Sequence, residues 1–112
     1  MSLSITEESH ANKTILHLAG RIDSTNAQNA EAELFEYLGP EAQLALDFSD
    51  LEFISSAGLR IVLFMAKKMK AQKGGLSLYA LQPVVNEVFE ISGFSKILTI
   101  KETREEALAA LD

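Results

Sequence analysis

Two adjacent serines, Ser55 and Ser56, are the residues of this sequence whose type and position best suit chemistry. They lie at the end of a polar loop, residues 49–56, that follows a strand-like segment, Leu44 to Phe48, and they precede an apolar run from Ala57. The first N–H groups of a helix lack intrahelical partners, and the helix dipole places about half a positive charge there. A hydroxyl at this point lies where a phosphate group would be stabilised.

The same position also suits a purely structural role. Serine at the start of a helix is more often a cap, whose Oγ accepts a hydrogen bond from an N–H two or three residues later. Ser56 is the first candidate for the working residue, but position alone leaves capping open for both serines.

Other kinds of site lack the residues that they need. A nucleophilic serine enzyme needs a histidine base and a strained elbow such as Gly-x-Ser-x-Gly, which the sequence does not contain. The two histidines, His10 and His17, are isolated and without clustered acids, so no metal site is predicted. A glycine-rich phosphate loop would open a helix, whereas Gly74 and Gly75 end one. No catalytic residue and no cofactor is expected.

Two aspartates after the strand-like segment, Asp47 and Asp50, are predicted to be turn and capping residues. The phosphate-accepting aspartate of a receiver domain would need an acidic pair at an earlier strand end together with a Mg²⁺ site. The first such loop offers only Asp23, so receiver chemistry is not expected.

Composition limits the class of protein and of partner. The 112 residues, 47% of them hydrophobic, predict one domain over residues 1–112 with a single core. A net charge of −6 argues against nucleic acid or an anionic membrane surface as partner. The apolar run Leu59 to Ala66 contains Arg60 and is too short to span a bilayer. The absence of cysteine and of a signal peptide leads us to expect a cytoplasmic protein.

Strand and helix patterns alternate along the first half of the chain. Leu3 to Glu8 and Thr14 to Ile22 have the alternation of two strands joined by a polar loop. Ser24 or Thr25 is predicted to cap a helix that ends at Gly39. Its apolar face is Ala27, Ala30, Leu34, Phe35 and Leu38, and Leu44 to Phe48 is predicted to be a buried strand.

The second half continues the alternation. A helix from Ala57 is stopped by Gly74 and Gly75, and a strand follows from Leu76 to Ala80. Pro83 is predicted to open a helix that Gly93 terminates. The apolar stripe of this helix is formed by Val84, Val85, Val88 and Phe89. Ile97 to Ile100 is predicted to be a last strand, and the capping-box spacing of Thr103 and Glu106 opens a terminal helix.

This order predicts an α/β fold, with a single mixed but mostly parallel sheet of four to five strands and about four helices packed on it. In such sheets function gathers where strands end and helices begin. The loop Asp23 to Thr25 and the loop over residues 49–56 should open at the same edge. We therefore expect Asp23, Ser24, Thr25, Ser55 and Ser56 to share one surface patch.

Four short motifs resemble those of the STAS domain family. Phe53-Ile54-Ser55-Ser56-Ala57-Gly58-Leu59 resembles the family signature, and Ala19-Gly20-Arg21-Ile22-Asp23 resembles its Gly-x-(Ile/Leu)-Asp element. Lys73-Gly74-Gly75 is similar to a turn before the next strand, and Phe89 to Phe94 is similar to a Phe-x-x-(Ser/Thr)-Gly-(Leu/Phe) motif. The motifs occur in the family order and cover nearly the whole chain.

The resemblance implies the STAS fold and a role like that of bacterial anti-sigma-factor antagonists, which are not enzymes. In those proteins the serine corresponding to Ser56 is phosphorylated by an anti-sigma factor that is a serine kinase. A PP2C-type phosphatase removes the group. The unmodified protein binds the anti-sigma factor and frees the sigma factor, and the phosphorylated protein releases its partner.

The resemblance also indicates a partner surface. Many antagonists have an aspartate where this chain has Ser55, whereas a small residue such as Ala57 after the serine is usual. We expect partner contacts from Asp23, Ser24, Thr25, Ser55, Ala57 and Gly58. One alternative is an accessory subunit of a lipid or anion transporter, which would bind an ATPase without phosphorylation. Another is recognition of a nucleotide or small anion at the helix start.

Overall fold

The computed structural model describes residues 3–111, which form five strands, four α-helices and one short 3₁₀ helix. The strands are β1 Leu3–His10, β2 Lys13–Ile22, β3 Gln43–Ile54, β4 Gly75–Tyr79 and β5 Ile100–Lys101. The α-helices are α1 Ala27–Phe35, α2 Ser56–Ala71, α3 Pro83–Ile91 and α4 Arg104–Ala109, and the 3₁₀ helix is Phe94–Lys96.

The five strands form one sheet in the order β1-β2-β3-β4-β5. The β1 and β2 strands pair antiparallel through a tight turn at Ala11, whose φ is 57°. The other three pairings are parallel, and each is bridged by a crossover that contains a helix, as parallel neighbours require. The prediction of a mixed, mostly parallel sheet with about four helices is confirmed.

The helices divide unequally between the two faces of the sheet. Helices α1, α2 and α3 cover one face and enclose the main core, in which the rings of Phe48 and Phe89 lie 6.1 Å apart. Helix α4 covers part of the other face through Ala107. The largest fully buried members of the main core are Leu16, Leu18, Ile22, Leu34, Leu44, Leu46, Phe48, Leu51, Ile54, Met65 and Phe89.

The central strand β3 is longer than predicted. It continues through Ser49 to Ile54 instead of ending at Phe48. The prediction of a loop over residues 49–56 was therefore wrong. Ser55 alone separates β3 from α2. Polar residues on an exposed strand end have the composition of a loop, and only pairing with β2 shows that they belong to the strand.

The pairing of β2 with β3 shifts register twice, next to His17 and again next to Gly20. Such bulges add residues to one strand and re-aim its side chains, so the two-residue alternation is lost. Asp47 and Asp50 both lie in β3 rather than in a turn. The Asp47 carboxylate does accept a hydrogen bond from the Ser49 N–H at 2.9 Å, beside the first bulge.

The ends of α1 and α2 also differ from prediction. Asn26, not Ser24 or Thr25, precedes α1, and no side chain caps that helix. Helix α1 ends at Phe35, and only single turns continue beyond it. Helix α2 ends at Ala71, before the glycine pair that was predicted to stop it, because the chain leaves the helix through Lys73 in a left-handed conformation.

The carboxyl-terminal elements follow the predicted order with shifted faces. Pro83 is the first residue of α3, as predicted, and Val85 and Phe89 are buried. Val84 belongs to the predicted apolar stripe but is 58% exposed, so the stripe is only partly buried. The stripe reaches the core only where it faces the sheet.

The last strand lies later in the chain than expected. The segment Ile97 to Ile100 is not a strand, because the 3₁₀ helix and a turn precede β5, and β5 begins only at Ile100. The capping box is confirmed: Thr103 Oγ1 accepts from the Glu106 N–H, and the Glu106 carboxylate accepts from the Thr103 N–H.

Gly58 brings the first turn of α2 against the ends of β2 and β3. A Cβ atom on Gly58 would lie 2.6 Å from Cγ1 of Ile54 and 2.9 Å from Cγ2 of Ile22. Both isoleucines are fully buried, so neither can move aside. The absence of a side chain at Gly58 therefore lets α2 start directly on the carboxyl edge of the sheet.

We predict that Gly58→Ala lowers the free energy of unfolding by about 1 to 3 kcal/mol, because the added methyl overpacks the strand ends. Alanine favours the helix over glycine by about 1 kcal/mol, so a decrease in stability would show that the clash outweighs this gain. Gly39→Ala is the matched control, since no atom lies within 4 Å of its Cβ position. Urea unfolding of both variants makes the comparison. If Gly58→Ala proves as stable as Gly39→Ala, the packing role of Gly58 is contradicted.

Candidate functional site

Ser55 is the N-cap of α2. Its backbone is extended, with φ −87° and ψ 175°, and its Oγ accepts a hydrogen bond from the Gly58 N–H at 3.3 Å. Its own N–H donates to the Ile22 carbonyl at 2.8 Å, which ties the end of β3 to the end of β2. The capping role that sequence left open between the two serines therefore belongs to Ser55.

Ser56 is the first helical residue of α2 and is exposed. Within residues 3–111 its side chain makes no hydrogen bond. Helix α2 is 16 residues long and has no acidic residue in its first turn, so no carboxylate of its own offsets the positive end of its dipole. The Ser56 hydroxyl is exposed and lies at the positive end of the α2 dipole.

The neighbouring loop after β2 is organised by Asp23. Its carboxylate accepts hydrogen bonds from the N–H and the hydroxyl of Thr25, and these bonds hold the pKa of Asp23 at about 2, below its ordinary 3.8. Asn26 completes the turn, because its side chain accepts from the Asp23 N–H and donates to the Arg21 carbonyl. Asp23 is thus a fixed negative charge that shapes the loop.

Arg21 joins this loop to β3. Its Nε donates to the Asp23 carboxylate at 3.2 Å, and its guanidinium carbon lies 4.7 Å from the centre of the Phe53 ring. Phe53 is two residues before Ser55, so one side chain links the Asp23 loop to the strand that leads to the serines. No role was predicted for Arg21 from the sequence, although the residue lies within the motif Ala19-Gly20-Arg21-Ile22-Asp23.

A groove between α1 and α2 starts next to Ser56. It is a shallow cavity of about 270 Å³ that combines apolar surface with one charge of each sign, Glu31 and Arg60. Phe64 is 45% exposed at its far end. Sequence reasoning missed this groove because its two helices are far apart in the chain. It is lined by Ala27, Gln28, Glu31, Ala57, Arg60, Ile61 and Phe64.

The structure brings the predicted site residues to one edge of the sheet. Ser24 and Thr25 are exposed in the loop after β2, and Ala57 is half-buried beside Ser56. Gly58 is buried and contacts Ile22 and Ile54, so it acts on this edge through packing. The assignment of Asp23, Ser24, Thr25, Ser55, Ala57 and Gly58 to partner binding stays a prediction.

The sequence suggested that His17 is isolated from acidic residues. In the structure it is not, because the sheet brings Glu8 and Asp47 to its ring. Even so, residues 3–111 contain no group of three or more acidic or histidine side chains placed to hold a metal ion. In the same part of the chain, no helix has the length and apolar character needed to cross a membrane.

Comparison with known proteins identifies relatives over most of the chain. Residues 4–107 match the STAS domain family. BtrV of Bordetella bronchiseptica, named as a candidate anti-sigma factor antagonist, is 47% identical over 94 residues, which are 83% of this chain and 81% of BtrV.

Solved structures share the fold. An anti-sigma factor antagonist from Mycobacterium paratuberculosis has a TM-score of 0.88 at 24% identity, over 98% of this chain and 94% of that chain. SpoIIAA of Bacillus has a TM-score of 0.73 in its unphosphorylated form, at 23% identity over 96% and 95% of the two chains. In its phosphorylated form the TM-score is 0.69, at 22% identity over 97% and 100%. The predicted STAS fold is confirmed.

We predict that the two serines respond differently to truncation. Ser55→Ala should lower the free energy of unfolding by about 1 kcal/mol, because the Gly58 N–H loses its acceptor. Ser56→Ala should change it by less than about 0.5 kcal/mol, as expected of an exposed side chain without partners. Chemical denaturation of both variants measures the difference. The opposite order of stabilities would transfer the capping role to Ser56.

Proposed function

This chain belongs to the STAS domain family, and from that premise we propose that it is an anti-sigma-factor antagonist controlled by phosphorylation of Ser56. The observation that carries the proposal is that the two serines at the start of α2 have different roles. Ser55 caps the helix, and Ser56 presents an exposed hydroxyl with no structural duty. The 47% identity to BtrV supports the same class of regulator.

The helix start can accept a phosphate without rearrangement. Ser55 satisfies the Gly58 N–H, while the N–H groups of Ser56 and Ala57 have no intrahelical acceptor. Phosphate oxygens accept hydrogen bonds from such groups, and the dipole stabilises the added charge. Support for this tolerance comes from SpoIIAA, whose phosphorylated and unphosphorylated forms both have the fold of this chain.

The same charge would disrupt a partner interface. A phosphoserine carries a charge of about −1.5 to −2 at neutral pH. Asp23 already places a negative charge on the neighbouring loop, and Glu31 lies in the adjoining groove. A partner surface fitted to the neutral Ser56 hydroxyl would have to bury this extra charge, which costs several kcal/mol and weakens binding by orders of magnitude.

In this scheme the chain is a substrate and a binding partner, not an enzyme. Its partners are an anti-sigma factor that is also a serine kinase and a PP2C-type phosphatase that removes the phosphate. The proposed partner surface extends from the Asp23 loop across Ser55, Ser56 and Ala57. The groove between α1 and α2 continues it and adds Arg60 and the exposed ring of Phe64.

We predict that the cognate anti-sigma kinase transfers phosphate from ATP to Ser56. Ser56→Ala should abolish labelling, and Ser55→Ala should remain labelled, because its neighbour keeps the hydroxyl. Peptide mapping by mass spectrometry identifies the modified residue. Full labelling of Ser56→Ala, with phosphate on Ser55 or Thr25, would overturn the assignment. Constitutive binding to a transporter ATPase without labelling would instead support the accessory-subunit alternative.

We also predict that Ser56→Asp keeps the fold and loses the partner. An acidic residue in the first turn of a helix stabilises it by about 0.3 to 1 kcal/mol, so the melting temperature should stay within a few degrees of wild type. Affinity for the anti-sigma factor should fall at least about tenfold, which isothermal titration calorimetry measures. Ser56→Ala is the matched control and should bind like wild type. A cooperative loss of structure in Ser56→Asp would refute the switch.

A further inference from the structure

Four charged side chains form a continuous row on the face of the sheet that carries α4. His17 of β2 lies between two carboxylates, with Nδ1 2.6 Å from Asp47 of β3 and Nε2 2.7 Å from Glu8 of β1. Glu8 also accepts two hydrogen bonds from Arg104 of α4, at 2.7 and 3.2 Å. We call Asp47, His17, Glu8 and Arg104 the charged row.

The geometry requires a protonated His17. An ionised carboxylate only accepts hydrogen bonds, and neutral imidazole has a single N–H donor. Both ring nitrogens lie within hydrogen-bond distance of a carboxylate oxygen, and both contacts are hydrogen bonds only when both nitrogens carry hydrogen. The row then alternates in sign from Asp47 to Arg104 and has no net charge.

The pKa directions agree with this protonation. Partial burial works to lower the pKa of His17, but its hydrogen bonds to Glu8 and Asp47 prevail and raise it above 6.5. Hydrogen bonds from Arg104 and His17 lower the pKa of Glu8 to about 2. Burial works to raise the pKa of Asp47, and its bonds to Ser49 and His17 lower it overall.

Helix α4 is attached to the sheet in part through this row. It has six residues, too few to be stable without tertiary contacts. Its apolar contact is made by Ala107, which packs with Ile15, Ala45 and Tyr79, and by the partly buried Leu108, with Leu111 just beyond the helix end. The Ser77 hydroxyl donates to the Ala107 carbonyl at 2.9 Å, and Arg104 supplies the charged attachment to β1.

The elements around the charged row carry other titratable side chains. The hydroxyl of Tyr79 on β4 has a pKa raised to about 12, chiefly by burial, and stays neutral. Lys101 of β5 pairs with Tyr79 in the sheet, and Glu105 follows Arg104 on α4. His10 and Lys13, at the β1–β2 turn, line a cavity together with Arg104. Of these groups, the Tyr79 hydroxyl interacts with the Asp47 carboxylate, and it stays protonated as His17 titrates.

We propose that His17 is a proton-dependent clamp that holds α4 on the sheet. When the imidazolium loses its proton, one ring nitrogen presents a lone pair to a carboxylate oxygen, and Glu8 or Asp47 must turn away. Movement of Glu8 removes the partner of Arg104 and loosens α4. Because the folded state raises the pKa of His17, this stabilisation is complete below pH 6.5 and is lost as pH rises through the raised value.

Hydrogen exchange measured by NMR tests the clamp in the intact protein. The reporters are three hydrogen-bonded amides of α4 and the turn that ends it, those of Ala107, Ala110 and Leu111. Between about pH 6 and about pH 9, their protection relative to α2 should fall about tenfold, the effect of one lost charge-assisted hydrogen bond. The ¹⁵N signals of His17 should show both ring nitrogens protonated at neutral pH.

Two variants separate the clamp from a general effect of pH. His17→Gln cannot titrate, so the protection of its α4 amides relative to α2 should not change with pH. His10→Gln is the matched control and should keep the wild-type decrease. Should His17→Gln not fold, Arg104→Gln breaks the row at α4 and should lower α4 protection at every pH. A neutral His17 ring at neutral pH, or α4 protection that stays constant while the ring loses its proton, would overturn the proposal.

Discussion

The close approach of α2 to the ends of β2 and β3 is the constraint on which the rest of the site depends. The Ser55 N–H reaches the Ile22 carbonyl at 2.8 Å, and Gly58 leaves no Cβ to separate the helix from Ile22 and Ile54. With these contacts the start of a long helix and the loop after β2 must share one edge. A Cβ atom at Gly58 would overlap the side chains of Ile54 and Ile22, so the helix and the strand ends could not keep their present spacing.

This arrangement gives neighbouring residues separate roles, since Ser55 stabilises the helix and Ser56 presents its hydroxyl. Ser55 is half-buried and satisfies a helix N–H, whereas Ser56 is exposed and bonded to nothing within the described residues. A charge added at Ser56 therefore reaches solvent and open N–H groups, and the core beneath it is unaffected. A binding surface can change sign in this way without unfolding the domain, as a phosphorylation switch requires.

The helices on the two faces of the sheet are held by different interactions. Three helices bury a large apolar core on one face, and that burial has little dependence on pH. On the other face, a short helix rests on a small apolar cluster around Ala107 and on a row of charges. Elements with few buried contacts open at lower free energy than the core, so we expect α4 to open more easily than the elements of the main core.

The sequence alone determined the order of elements, the α/β class and the motif that holds the serines, because apolar periodicity and capping residues are local signals. The capping box at Thr103 and the helix start at Pro83 were predicted for that reason. Tertiary structure decided what depends on pairing between distant segments. The bulged extension of β3 to Ile54 exists only because β2 pairs with it, and His17 acquires two carboxylate partners only because β1 and β3 flank its strand. The choice of Ser55 rather than Ser56 as the cap was decided in the same way, since the Ile22 carbonyl that binds the Ser55 N–H is 33 residues away in the chain.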